Sequence, residues 1–170
     1  MKKVLIVVDM QNDFINGALG SADAQGIVEN VKKKIESFDG TVIFTQDTHG
    51  RDYMSTQEGK KLPVAHCIEG TDGWEICSEL KGLAKNCLAK PTFGSVVLPG
   101  YICDLLGEEP DEIELVGLCT DICVISNAMI LKASFPEAKI AVDSSCCAGV
   151  TPQSHDNALA AMASVQIDIR

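Results

Sequence analysis

Residues Glu112–Ala133 read EIELVGLCTDICVISNAMILKA. Glu112–Gly117 suits a strand, and Ile122–Ala133 continues as an Ala- and Ile-rich helix, so the stretch is a strand feeding directly into a helix. The same alternation extends outward in both directions. Toward the N terminus, Val4–Val8 and Thr41–Thr45 read as strands, with a weaker one at Cys87–Lys90. Toward the C terminus, Lys139–Val142 and a terminal Val165–Ile169 follow. These runs are apolar on both faces, as buried parallel strands must be. Between them, Gly26–Phe38 places Ile27, Val28, Val31 and Ile35 at helical spacing. A last helix is expected from about Thr151 to Ala163, with Thr151 as its N-cap and Pro152 at the first helical position. The pattern predicts an α/β fold: one domain over residues 1–170, a mostly parallel six-stranded sheet and helices on both faces, in the Rossmann manner.

At 170 residues and 46% hydrophobic content, the chain can bury one compact core and is short for two. The start, MKKVLIVVDMQNDF, resembles a signal peptide, but its apolar run Val4–Val8 is too short for an h-region and ends at Asp9. No stretch approaches the roughly 20 uncharged apolar residues that cross a bilayer. The eight cysteines lie in a chain with ample aliphatic core, many inside apolar segments, which fits a reducing cytoplasm better than a disulfide scaffold. A net charge of −10, with no basic run longer than Lys32–Lys34, disfavours nucleic acid and anionic membranes. A small-molecule partner is the expectation.

In open parallel sheets ligands bind beyond the carboxyl ends of the strands, so polar residues ending apolar strands are where chemistry is sought. Three such places stand out: Asp9 after the first strand, Lys90 before Pro91, and Gly117–Cys123 between strand and helix. A thiol near a helix N-terminus has its thiolate stabilised by the dipole and free backbone donors, and an ammonium adds to this. Cys123 is placed for both, and Asp9 could take its proton and later deliver it to a leaving amine. Each residue also has an ordinary reading: Cys123 as a small core side chain, Asp9 as a turn former, Lys90 as a solvated cation.

The polar stretch between Gln46 and Gly73 breaks the α/β alternation and holds two of the three histidines. Asp47 and His49 stand two residues apart, with Glu58 and His66 downstream. Two imidazoles and two carboxylates suit Zn²⁺, Mn²⁺ or Fe²⁺ better than Ca²⁺ or Mg²⁺, although scattered polar side chains in a loop are often only solvated. A zinc site built on Cys119, Cys123, Cys146 and Cys147 is rejected, because there is no paired C-x-x-C knuckle and these residues fall in strand or helix patterns. His155, in the first turn of the last helix, is expected at the surface.

Taken together, VVDMQNDF (Val7–Phe14), TQDTH (Thr45–His49), KPTFGS (Lys90–Ser95) and GLCTDICV (Gly117–Val124) resemble the isochorismatase-like cysteine hydrolases, in order and over nearly the whole chain. Within that superfamily the polar loop resembles that of the nicotinamidases. The resemblance implies Cys123 as nucleophile, with Asp9 and Lys90 completing a catalytic triad. It also implies one divalent metal ion, zinc with manganese or iron(II) as alternatives, held by Asp47, His49, Glu58 and His66. Oxyanion binding by the backbone N–H groups of Cys119 and Cys123 follows in the same way, with a cis peptide between Leu118 and Cys119. The implied reaction is hydrolysis of nicotinamide to nicotinate and ammonia through a Cys123 thioester, with the pyridine nitrogen on the metal aiming the carboxamide at the thiol. The family offers precedents for homo-oligomers.

One departure is visible. Relatives often carry an aromatic residue shortly before the metal-binding His, whereas Leu62-Pro63-Val64-Ala65 precede His66 here. Phe14, with Tyr53 or Trp74, is then expected to contact the substrate ring. Two other readings stay open: a metal-independent sibling hydrolase of another small amide, ureido compound or vinyl ether, and a non-catalytic metal or redox-sensing protein.

Overall fold

Val4–Val8 have no accessible surface in the computed structural model, which describes all 170 residues, Met1–Arg170. Five consecutive buried aliphatics require cover on both faces, and the chain supplies it by alternating strands with helices. The strands are β1 (Lys3–Val8), β2 (Thr41–Asp47), β3 (Cys87–Lys90), β4 (Glu112–Leu118), β5 (Lys139–Ala148) and β6 (Asp168–Ile169). The helices are α1 (Asn12–Ile15), α2 (Ala22–Ser37), α3 (Gln57–Lys61), α4 (Ser78–Lys81), α5 (Leu98–Leu106), α6 (Ile125–Ser134) and α7 (Pro152–Ser164). Short 3₁₀ turns lie at Tyr53–Ser55 and Asp72–Trp74, and a π turn at Thr120–Val124 leads into α6.

All six strands form one sheet in the order β3-β2-β1-β4-β5-β6, and every pair is parallel. Because side chains alternate along a strand, Val4, Ile6 and Val8 of β1 face one core with Leu98, Ile102, Leu131 and Met162. Leu5 and Val7 face the other, with Ala24, Ile27, Val31, Ile35 and Leu80. Each such buried aliphatic contributes about 1.5–3 kcal/mol. Helices therefore cover both faces, as the sequence pattern implied.

Strand order reverses between β1 and β4, where Val8 lies beside both Thr45 and Gly117. Gly117 has φ +114, and a Cβ there would run into the Val8 carbonyl, so only glycine lets β4 close against β1 at this point. A crevice at this position is where open α/β sheets bind ligands.

Several boundaries differ from expectation for local reasons. α5 escapes the pattern because Pro99 and Gly100 sit in its first turn, although Pro is tolerated there and Leu98 and Ile102 lie on one buried face. The terminal strand, expected over Val165–Ile169, shrinks to Asp168–Ile169, since the Val165 and Gln166 amides close onto α7 and Gln166 is left-handed at φ 67. β5 runs on past Val142 to Ala148 through a register shift against β4. The helix expected from Ile122 starts as α6 at Ile125, preceded by the π turn. Thr151 caps α7 by accepting from the Ser154 amide, with Pro152 in its first turn, as the sequence indicated.

Candidate active site

Asp9 leaves the end of β1 in the left-handed region, at φ 46, an unfavourable conformation that turns its carboxylate inward. Thr45 of β2 holds it there: Asp9 N–H donates to the Thr45 carbonyl at 3.2 Å, and Thr45 Oγ1 donates to Asp9 Oδ1 at 2.6 Å. Lys90 ends β3, and its wholly buried ammonium reaches Asp9 Oδ2 at 2.7 Å, the Thr92 carbonyl at 3.1 Å and Cys123 Sγ at 3.4 Å. Cys123, 4% exposed, sits in the π turn ahead of α6. Three residues far apart in sequence thus meet at the switch point of the sheet.

Their electrostatics differ from the expectation of a stabilised thiolate. Burial pushes the Cys123 thiol well above its ordinary value, Asp9 and Asp47 push in the same direction, and Lys90 offsets only part of this. Burial also raises Asp9, against the opposing pull of Lys90. Burial alone would lower Lys90, but the charges of Asp9, Cys123 and Asp47 hold it well above its usual range. Burial thus works against ionising both the Cys123 thiol and the Asp9 carboxyl, while its neighbours hold Lys90 as a cation.

The metal-type residues also converge. His49 Nε2 lies 3.0 Å from Asp47 Oδ2 and 3.6 Å from Glu58 Oε1; His66 Nε2 lies 3.5 and 3.7 Å from the same two oxygens. All four ligand atoms fall within 4.8 Å of one another. Two groups bound to one ion at 2.0–2.2 Å lie at most about 4.4 Å apart, so a single divalent ion fits with little adjustment. His66 Nδ1 donates to the Val64 carbonyl at 2.8 Å, which leaves Nε2 with its lone pair toward the cluster. Asp47 Oδ1 is buried with no hydrogen-bond partner. Although burial opposes ionisation, the histidines and Lys90 hold the Asp47 carboxyl well below the usual carboxylate range.

Both groups open on one cavity of about 460 Å³, whose walls include Cys119, Cys123, Asp47, Glu58, His66 and Phe14. Phe14 stands 5.5 Å, ring to ring, from His66. Tyr53 and Trp74 do not line this space. Tyr53 is buried edge-on against His49 and His66 with its hydroxyl on the Leu62 carbonyl, and Trp74 donates its indole N–H to Thr48. The second aromatic wall is Phe93, from the KPTFGS segment, with Leu62 close by. The Leu118–Cys119 peptide is cis.

Other residues in the site escaped the sequence reading. Asn127, fully buried one turn beyond Cys123, accepts from Ser95 N–H at 2.9 Å and donates to the Cys123 carbonyl at 2.8 Å, tying the Cys123 turn to the Lys90 loop. An amide side chain four positions after the cysteine, on the buried face of a largely apolar helix, was the available signal. His155 is half-buried rather than superficial, because its Nδ1 pairs with buried Thr120 Oγ1 at 2.7 Å. All eight cysteines are unpaired, and Cys119, Cys146 and Cys147 belong to no metal-type cluster.

Residues 3–169 match the isochorismatase domain. The chain is 30% identical over 158 residues to a nicotinamidase of Acinetobacter baylyi, covering 74% of this chain and 72% of that protein. It superposes on the crystal structure of a Bacillus subtilis nicotinamidase/pyrazinamidase with a TM-score of 0.82 and 31% identity over 99% of both chains. A Pyrococcus horikoshii pyrazinamidase solved in complex with zinc gives a TM-score of 0.83 at 25% identity, covering 100% of this chain and 99% of that one. A match that runs from β1 to β6, in sequence as well as in fold, makes this chain a member of the isochorismatase family and a hydrolase.

Proposed function

We propose that this chain is a metal-dependent nicotinamidase that hydrolyses nicotinamide to nicotinate and ammonia, a salvage step for pyridine nucleotides. The observation that carries the reading is that Asp47, Glu58 and His66 border the same cavity as Cys123. Asp47, His49, Glu58 and His66 would hold one divalent ion, zinc by the chemistry of the donor set, which when bound supplies a Lewis acid for a ring nitrogen.

The chain's own residues perform the remaining work. Asp9 takes the proton of the Cys123 thiol, a transfer favoured by the rise that burial imposes on its carboxyl. Cys123 Sγ bonds to the carboxamide carbon, and the resulting oxyanion accepts from the backbone N–H groups of Cys119 and Cys123. As the C–N bond breaks, Asp9 returns its proton to the departing nitrogen and ammonia leaves. Water, deprotonated by Asp9, then attacks the thioester, releasing nicotinate and restoring the thiol. Lys90 keeps Asp9 in place through the 2.7 Å contact and balances its negative charge. Phe14 and Phe93 supply the aromatic walls for the ring.

Eight unpaired thiols suit a reducing compartment, and we place the enzyme in the cytoplasm. Ammonia release from nicotinamide by purified protein, before and after chelation and metal readdition, tests the assignment. Chelation or His49→Ala should reduce turnover by about 10²-fold or more through lost positioning, while Cys123 keeps its reactivity toward iodoacetamide. Full activity in metal-free protein would return the chain to the wider set of small-amide hydrolases.

A further inference from the structure

Gln11, Asn12 and Asp13 lie two to four residues past the Asp9 base, yet none has a part in the chemistry above. Gln11 and Asp13 turn their side chains toward the segments that carry the metal-type residues, and Asn12 toward the Asp72–Trp74 turn. The buried Gln11 carboxamide pairs with the Asp47 main chain, accepting from its N–H at 2.7 Å and donating to its carbonyl at 2.8 Å, and also donates to the Trp74 carbonyl at 2.8 Å. Asn12 Nδ2 donates to the Asp72 carbonyl at 2.8 Å.

Asp13 makes the most telling contact. Its Oδ2 accepts from the Cys67 amide at 2.8 Å, one residue past His66, and its Oδ1 accepts from the Ala18 amide at 3.2 Å. Cys67 is left-handed, at φ 45, a conformation a side-chain-bearing residue rarely adopts unless something holds it. Its carbonyl accepts from His49 N–H at 2.9 Å, and the His49 carbonyl accepts from Glu69 N–H at 2.9 Å, so the backbones of the two histidine segments are laced together just where Asp13 grips. The carboxylate lies tight against two glycines: a Cβ on Gly73 would strike it, and one on Gly17 would lie 2.5 Å from Oδ1.

We propose that Asp13 is a positioning residue for the metal half of the site, with Gln11 as its companion: it sets His66 against Asp47, His49 and Glu58 by holding the Cys67 amide, without itself reaching the ion. Outer residues that orient metal ligands typically change metal affinity by about 10–100-fold when removed. The inference rests on the metal site proposed above.

The test uses purified, chelator-treated protein titrated with Zn²⁺ and Mn²⁺ against a chromogenic competitor. Asp13→Ala should weaken binding by about 10–100-fold, and Asp13→Asn, which can still accept from Cys67 N–H, by less than about threefold. Gly73→Ala leaves Asp13 in the chain but crowds its carboxylate off the Cys67 amide, so it should reproduce the loss, and it carries the test if Asp13→Ala does not fold. Asp104→Ala, a remote exposed charge on α5, should bind as wild type does. Iodoacetamide labelling of Cys123 should proceed at the wild-type rate in every variant, separating misplaced metal ligands from a generally damaged site. Asp13→Ala and Gly73→Ala that both bind within threefold of wild type would overturn the role of Asp13. Wild-type protein that binds neither ion would overturn the metal site itself.

Discussion

Replacing Lys90 with methionine keeps most of the side chain's apolar stem and removes the ammonium, with its charge and its N–H donors. The ammonium is wholly buried, 2.7 Å from Asp9 Oδ2 and 3.6 Å from Asp47 Oδ1, so the substitution leaves two buried carboxylates without their cation. Removing one partner of a buried ion pair costs about 3–5 kcal/mol. In a chain of this size each kcal/mol lowers the Tm by about 2–4 °C, which gives a fall of roughly 6–20 °C for the chelator-treated protein at pH 8.

The loss should depend on pH, with a definite sign. Burial already raises Asp9 above its ordinary value and Lys90 pulls it back, so the variant's Asp9 is raised further. A carboxyl raised above its unfolded value of about 3.9 destabilises the fold while ionised and stops doing so as pH falls through its folded value. The gap in Tm should therefore close in the window between the wild-type Asp9 value and the higher value in the variant. Activity at pH 8 should fall by about 10²–10⁴-fold, because the ammonium that holds Asp9 in place and offsets the charge developing on Cys123 is gone. Thermal melts by near-ultraviolet circular dichroism from pH 5 to 8, with ammonia release at pH 8, read both effects. A variant that melts within 2 °C of wild type at pH 8, a gap that does not change with pH, or a tenth of normal activity would refute this account of Lys90.

Cys123→Ala should abolish ammonia release while changing stability by no more than about 1–2 kcal/mol, since a buried thiol becomes a methyl group; Cys119→Ala should be far milder, because only its backbone N–H is assigned a role. Asn127→Ala leaves the Ser95 amide and the Cys123 carbonyl without their partner, and should cost about 2–5 kcal/mol by urea denaturation and lower kcat. Lys34 joins Glu114 at 2.8 Å and Asp143 at 2.7 Å, away from the site, so Lys34→Met should cost about 1–3 kcal/mol at neutral pH. Burial opposes ionisation of Asp143, but hydrogen bonds from Lys34 and Ser145 outweigh it and depress its carboxyl, so that stabilisation is present above about pH 4 and lost on further acidification. Urea midpoints for wild type and Lys34→Met should accordingly converge below that pH, and a constant difference down to pH 3 would contradict the pairing.

Local sequence pattern carried the parallel sheet, the helices α2, α6 and α7, and the cap of α7. Burial on two faces forces continuous aliphatic runs such as Val4–Val8, and an N-cap is a local bond between Thr151 and Ser154. Asp9, Lys90 and Cys123 were legible as polar ends of apolar strands, and Asp47, His49, Glu58 and His66 as ligand-type side chains in a polar loop. Only the tertiary structure decided that these sets share one cavity, because β1, β2, β3 and β4 become neighbours through crossovers that no local pattern encodes. It also replaced Tyr53 and Trp74 with Phe93 as the second aromatic wall, since pocket lining depends on which side of a turn faces inward. Protonation followed the same rule. Helix and ammonium placement favours a thiolate, but desolvation acts in three dimensions, and the near-complete burial of Cys123 beside two carboxylates pushes its thiol up.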